Sequence, residues 1–446
     1  MSAANAMPPG HLIPRVLGRP LEQAVRGSGV WLEDAQGRRY LDACSGGMVV
    51  NVGHGRPELA RAASEALSRL TFVHGTMFSS PEVEELAARL AGLAPPEITR
   101  FFFMMSGTDA VEAALKLAYQ VQQERGETRR HTLVSLWMSY HGLSLGALAA
   151  SGRQLFRAPF QPMFRDAVHL PPPFCLRCAY GLSRPDCGTK CAHALEDTLN
   201  LLGPGAVYAF LAETVGGAAL GANPPPPEYF PLVREICDRH GVLLIMDEVM
   251  CGLGRTGRWF AGQHYGVAPD LVTLGKGLAG GTMPISAVGT REEHLAVLAR
   301  GSGTYLHGGT FTNHVVSAAV ALATLNILED EGLVESAGIM GRKLGEKLTA
   351  RLAHSPHVGQ VRGLGLMWGV ELVRDKARLA PYPRGEHVGE RVGEALFRRG
   401  VLSYIAGGMA PPDGDAIMLG PPFIVQEAEL DLAVEALAGA IGDVLG

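Results

Sequence analysis

Residues 242–289 read VLLIMDEVMCGLGRTGRWFAGQHYGVAPDLVTLGKGLAGGTMPISAVG. The run Val242–Met246 is short, continuous and apolar, and it ends in two acids, Asp247 and Glu248. A strand buried on both faces of a parallel sheet has this pattern, with polar residues only at its C-terminal end. Leu271–Leu274 is a second such run and delivers Gly275-Lys276-Gly277. Ligands of open α/β sheets bind outside the C-terminal strand ends, so the acid and the lysine are expected to face one site. The pair is also compatible with a structural ion pair at a sheet edge.

A lysine amine placed beside an acid suits carbonyl–amine chemistry, because the amine forms an imine with an aldehyde. If that aldehyde is pyridoxal phosphate, the acid pairs with the pyridine nitrogen and keeps the ring an electron sink. The ordered pieces MDEVMCGLGRTG, PDLVTLGKGLAGG and PISAVG closely resemble the cofactor signature of class III aminotransferases of the fold-type I group. The resemblance implies pyridoxal 5'-phosphate as cofactor, a Schiff base on Lys276, and Asp247 on the pyridine nitrogen. It also implies Val249 as a cofactor contact.

Gly252–Gly257 fits G-x-G-x-x-G, a weak match by itself. A dinucleotide site needs a strand–turn–helix and an acid about twenty residues later. Here the acids precede the glycines and the lysine strand follows. A nicotinamide dehydrogenase is therefore the remote alternative.

The 446 residues, 47% hydrophobic and 19% charged, suit a globular enzyme with one large and one smaller domain. The net charge of -5 advertises no basic face, so no nucleic acid is expected. No apolar run reaches spanning length uninterrupted, so no membrane partner is expected either. The N-terminal MSAANAMPPGHLIPR lacks the layout of a signal peptide. It is read as a loose arm, and the location as cytoplasmic.

Several turns elsewhere carry candidate site residues. Phe101–Met105 is an apolar run, followed by Ser106-Gly107-Thr108-Asp109 and the helical AVEAALKLAYQVQQE. A strand, a small-residue turn and a helix N-terminus make an anion site. Ser106 or Thr108 also suits a helix cap, and the two readings are compatible. The stretch resembles the family's phosphate-binding turn, which assigns Ser106, Gly107 and Thr108 to the cofactor phosphate.

The strand Thr132–Trp137 leads to Tyr140-His141-Gly142. An aromatic side chain there can stack on a pyridine ring, and the family's aromatic-His-Gly triplet implies this for Tyr140, with His141 beside it. Val207–Ala212 ends at Glu213. The family usually reads E-P-V-x-G there, whereas this chain has Glu213-Thr214-Val215-Gly216-Gly217. Glu213 is carried over as a cofactor-site residue on that altered pattern. Thr310, within YLHGGTFTNH, resembles the family threonine that reaches the cofactor phosphate of the neighbouring subunit, which implies a homodimer. Asn51, Gly53 and His54 are adjacent candidates, His54 more as a local hydrogen-bonder. The loop His74–Ser80 is a candidate substrate-pocket lining.

Cys175, Cys178, Cys187 and Cys191 cluster in an insertion-like segment. Loose zinc spacing, disulfides and packed thiols are all open. No metal is assigned to the reaction.

The fold expected is α/β: a fold-type I transferase whose large domain has a mostly parallel, seven-stranded sheet, plus a smaller α+β domain. Residues 61–324 are assigned to the large, cofactor-binding domain. Residues 1–60 (arm and first part) and 325–446 are assigned to the small one. Arg362–Val373 reads as strand-like, and a proline–glycine loop is predicted after Gly400. The implied function is transamination between an amino donor and a 2-oxo acid, with an aminomutase or decarboxylase of the same fold as the alternative.

Many relatives that bind α-carboxylates carry an arginine three residues before a Pro-Pro pair. Here that position is Met418, before Pro421-Pro422. A methionine cannot pair with a carboxylate. A simple or terminal amine donor with pyruvate as acceptor is therefore predicted, with Arg255 as one possible substitute clamp.

Overall fold

The computed structural model describes residues 11–16 and 21–446. The arm predicted over residues 1–15 lies mostly outside the described residues. Strands β1 (Ala24–Ser28), β2 (Trp31–Asp34) and β3 (Arg39–Asp42) form an antiparallel ribbon.

The central sheet has seven strands: β4 (Arg100–Met104), β5 (Thr132–Leu136), β6 (Val168–Leu170), β7 (Val207–Glu213), β8 (Leu243–Asp247), β9 (Leu271–Leu274) and β10 (Ser286–Thr290). Their spatial order is β4-β10-β9-β8-β7-β5-β6. Strands β5 to β9 are mutually parallel, and β10 runs against both of its neighbours, β9 and β4. All strands except β10 therefore end at the same edge.

The period of two along β8 explains its double burial. Leu243 and Ile245 share a core with Val111, Leu115 and Ala118 of helix Gly107–Glu124. Leu244 and Met246 share another with Leu195 of helix Lys190–Leu202 and Phe230 and Val233 of helix Tyr229–His240. Helices cover both faces, so every apolar residue of the strand is buried.

The last third supplies β11 (Val358–Gly363), β12 (Trp368–Asp375), β13 (Ala380–Pro381), β14 (Val401–Leu402), β15 (Tyr404–Ala410) and β16 (Asp413–Leu419). β11-β12-β16-β15 is antiparallel, and β13 pairs with β12. β14 instead joins β3 in parallel, Val401 opposite Leu41, so the two ends of the chain share a sheet. The strand-like Arg362–Val373 is thus a hairpin. Gly365 turns at φ +56 where a Cβ would lie 2.4 Å from the Thr256 carbonyl carbon. The segment predicted as a proline–glycine loop contains β15.

The insertion-like segment holds a 3₁₀ turn at Cys175–Arg177 and then the helix from Lys190. Its four cysteines are free thiols. Among the described residues, the one group of three or more metal-capable side chains with ligand atoms within 4.8 Å is Asp270, Glu293 and His294. Asp270 in that group is already paired with Arg234 at 2.7 Å. No helix of the described residues is long and apolar enough to cross a membrane.

Candidate active site

The alternation that buries β8 ends in two acids on opposite faces. Glu248 turns away from the lysine strand's end. It accepts from the amides of Ala261 (2.6 Å) and Gly262 (2.7 Å) and from the Thr214 hydroxyl (3.3 Å). Burial still pushes its carboxyl up to about 7.

Asp247 faces a cavity of about 170 Å³ at the strand ends. One carboxylate oxygen meets His141 Nδ1 at 2.7 Å. The other accepts from the Val249 amide and the Thr273 hydroxyl, both at 3.0 Å. His141 is held from behind, its amide donating to Ser151 Oγ at 2.8 Å.

Lys276 follows β9 and lines the same cavity. Its backbone is left-handed, φ 43, a strained conformation for a side chain of this size. Asn51 Nδ2 donates to the Gly277 carbonyl at 3.0 Å and fixes the loop beyond it. Burial lowers the pKa of the Lys276 amine, opposed by the charges of Asp247 and Glu213.

Glu213, at the end of β7, is opposite Asp247 in the strand register. It accepts from the amides of Tyr140 (3.2 Å) and Gly217 (3.0 Å). Burial raises its carboxyl to about 7, opposed by His141 and reinforced by Asp247. The altered sequence after it still leaves it lining the cavity.

The helix Gly107–Glu124 starts at the cavity. Ser106 forms a capping box, its Oγ accepting from the Asp109 amide and its own amide donating to Asp109 Oδ2. Ser106 is therefore spent on the helix, while the Gly107 and Thr108 amides have no acceptor within the helix. Gly107 is required here, since a Cβ would lie 2.6 Å from Val249 Cγ1.

Of the ten residues predicted for the cofactor site, Gly107, Thr108, Tyr140, His141, Glu213, Asp247, Val249 and Lys276 line this one cavity. Ser106 stands at its rim as the cap. Thr310 does not line it; it is exposed in the loop before helix Val315–Asp330.

The structure also places the other residues singled out in the sequence. His74, Gly75 and Thr76 line a different cavity of about 600 Å³ together with Tyr305, His307 and Thr312. Arg255 is buried away from the site, donating to the carbonyls of Leu366 (3.0 Å) and Pro421 (2.7 Å) and lying 4.6 Å from the Phe423 ring centre; it is not a free clamp. Gly252–Gly257 is a series of turns with no α-helix opening from it, only a short 3₁₀ turn at Ala261–His264, so the motif is the decoy its context suggested. His54 is a local hydrogen-bonder, Nε2 at 2.9 Å from Asp42. Thr273, Val215, Ala218, Met250 and Cys251 were missed. Only Thr273 carried a signal, as the lone hydroxyl in an apolar strand.

The residues present fit pyridoxal phosphate. A lysine with a lowered pKa suits an aldehyde, a buried carboxylate suits a pyridinium, and free first-turn amides suit a phosphate. The sequence profile for aminotransferase class-III matches residues 17–441. The chain belongs to the class-III aminotransferase family.

Similar proteins include the putrescine–pyruvate aminotransferase of Pseudomonas aeruginosa, 33% identical over 91% of this chain and 87% of that protein. The adenosylmethionine-8-amino-7-oxononanoate aminotransferase of Geobacter sulfurreducens is 35% identical over 95% and 92%. Among solved structures, an (S)-enantioselective omega-transaminase from Thermomicrobium roseum superposes with a TM-score of 0.92, 39% identity and coverage of 98% and 97%. An amine transaminase from an uncultivated Pseudomonas species, in its pyridoxal-phosphate-bound form, gives 0.91, 33%, and 99% and 100%. This aminotransferase has the fold-type I architecture, uses pyridoxal 5'-phosphate and catalyses transamination.

Proposed function

We propose that this aminotransferase moves an amino group from a simple or terminal amine to pyruvate, with Lys276 and Asp247 as its catalytic residues. The observation that carries the reading is the meeting of Lys276, Asp247 and the Gly107–Thr108 helix start in one cavity. When bound, pyridoxal phosphate accepts the electron pair left on the donor carbon and carries nitrogen between the two half-reactions.

The chain's residues divide the remaining work. Lys276 Nζ is the amine that would hold the cofactor aldehyde. Once freed by a donor, its amine would take a proton from the donor's amine-bearing carbon and deliver it to the cofactor's former aldehyde carbon, a role favoured by its lowered pKa. Asp247 would hold the pyridine N–H. The amides of Gly107 and Thr108 would hold the phosphate, and Tyr140 would cover the ring. Glu213 positions Tyr140 through its backbone amide.

Met418 is buried in an apolar cluster with Met48, Met367 and Met409, which supports a donor without an α-carboxylate. The names of the putrescine–pyruvate and amine-transaminase relatives support the same choice.

A homodimer is part of the proposal. Phe72 and Phe311 are in edge contact at 6.0 Å, and with Met77, Phe78 and Leu306 they leave an exposed apolar patch that calls for a partner. Thr310 belongs to it and would serve the neighbouring phosphate. The division into residues 61–324 against 1–60 with 325–446 is supported by the β3–β14 pairing. A cytoplasmic location is supported by seven free cysteines.

Borohydride reduction of the loaded enzyme followed by peptide mapping tests the centre of the proposal. The cofactor mass is expected on Lys276, and Lys276→Ala is expected to lose turnover by at least ~10³-fold. Labelling of another lysine would overturn the assignment.

A further inference from the structure

Five arginines of the described residues are buried: Arg130, Arg153, Arg157, Arg255 and Arg362. Four have their charge met. Arg130 donates to the carbonyls of Val207 and His240, and Arg157 pairs with Asp166. Arg255 donates to two carbonyls, and Arg362 pairs with Glu371 at 2.6 Å. Arg153 has neither. It is 8% exposed, no carboxylate of a described residue pairs with it, and its Nε is buried without a partner. A buried guanidinium without an opposite charge is costly until an anion arrives to meet it.

The surroundings of Arg153 say where that anion sits. Its guanidinium lies 4.6 Å from the Phe156 ring centre, and Phe156 meets Tyr140 edge-on at 6.2 Å. Burial lowers its pKa, opposed by a hydrogen bond to the Tyr404 hydroxyl and by the nearby Tyr140; the neutral hydroxyl supplies an acceptor but no opposite charge. Tyr140 also lines the Lys276 cavity. Tyr404 is the cross-strand partner of Met418. Arg153 thus stands beside the residue that faces Met418 across the strand pair, the position that lacks a cation.

We infer that Arg153 is the residue that binds the acceptor's carboxylate, selecting short 2-oxo acids from the Tyr140–Tyr404 side of the cavity. The inference rests on the transamination reading above and adds the specificity-determining residue. The planar fork suits a carboxylate bidentately. Phe156 stacks on the guanidinium and limits its movement, so an acceptor carboxylate bound there is held in one place.

The test separates the two half-reactions in the loaded dimer by stopped-flow absorbance of the cofactor. One arm mixes the pyridoxamine form with pyruvate; the other mixes the pyridoxal form with a primary monoamine that has no carboxylate. In Arg153→Gln the ratio of the pyruvate rate to the amine rate is expected to fall ~100-fold, the size of a lost charge-assisted pair. Arg153→Lys keeps the charge without the fork and is expected to recover part of the ratio. If Arg153→Gln does not load cofactor, Arg153→Lys carries the test with a ~10-fold fall expected.

An unchanged ratio in the variant that loads, or equal loss in both arms, would overturn the inference. Failure of the underlying reading looks different: the unsubstituted enzyme would react in neither arm, and the inference would fall with it.

Discussion

Asp247 is held by three donors of different kinds: an imidazole, a hydroxyl and a backbone amide. Each fixes the position of the carboxylate, and each can be removed separately. Asp247→Asn is expected to keep the cofactor but lose turnover by roughly 100-fold or more, since a preorganised charge is lost. Thr273→Val removes one hydrogen bond to the carboxylate, about 1.5 kcal/mol, and is expected to cost ~10-fold. Steady-state rates with a fixed amine and pyruvate check both, and a larger loss in Thr273→Val than in Asp247→Asn would reverse the assigned roles. Asp247 and Lys276 were legible because strand ends and flanking glycines are local signals. Arg153 was not. Its significance is the absence of a partner, and partners belong to three-dimensional packing.

At the scale of elements, the start of helix Gly107–Glu124 and the turn after β8 are fitted to each other. Val249 fills the space left by Gly107 and touches the Gly275 position as well, where a Cβ would lie 3.2 Å from its Cγ1. Gly107→Ala is therefore expected to push the phosphate turn out and weaken cofactor binding at least ~10-fold, as a displacement near 1 Å does to a positioned site. Val249→Ala in the same chain should restore most of it. Fluorescence titration of the apoenzyme with pyridoxal phosphate measures both, and no rescue by the second change would refute the packing account.

The parallel strands β5, β7, β8 and β9 were readable as apolar runs bounded by turn residues; the three-residue β6 was too short to show one. β15 was not, because Gly407-Gly408 interrupt its alternation and its burial comes from β16 beside it. The hairpin β11–β12 looked like one strand because Gly363–Met367 is apolar enough to hide the turn.

Whole-molecule behaviour depends on charges far from the site. His294 is buried, its Nδ1 2.9 Å from the Thr290 hydroxyl. Burial lowers its pKa from 6.5 to about 4. The folded form is neutral where the unfolded form is charged, so the unfolded state binds more protons between about pH 4 and 6.5. Stability is therefore lost as pH falls through that window and is unaffected above it. His294→Gln lacks this titration. Its stability relative to wild type should rise by on the order of 2–3 kcal/mol between pH 7 and pH 4, read from urea unfolding at each pH. A parallel pH dependence in both proteins would contradict the assignment.

Association is the second property at this scale. Phe311→Glu is expected to shift sedimentation toward the monomer and to lower turnover with it, if Thr310 serves the neighbouring phosphate. A fully active monomer would rule that out. The seven-stranded sheet that the family resemblance implied is present, although its spatial order is not the order of the apolar runs along the chain. The pairing of β3 with β14 joins residues near opposite ends of the chain, and no local pattern marks that.

The cavity's contributors, Gly107, Tyr140, Glu213, Asp247 and Lys276, are far apart along the chain and meet only at one sheet edge. All five come together only once β4, β5, β7, β8 and β9 have taken their places in the one sheet. Contacts this distant in sequence form late in folding. A half-made chain therefore has nothing with which to grip the coenzyme, and the coenzyme cannot template its own pocket. Capture of the coenzyme becomes a certificate of finished folding. Its yellow colour, counted per chain, measures how much of a preparation reached the native state.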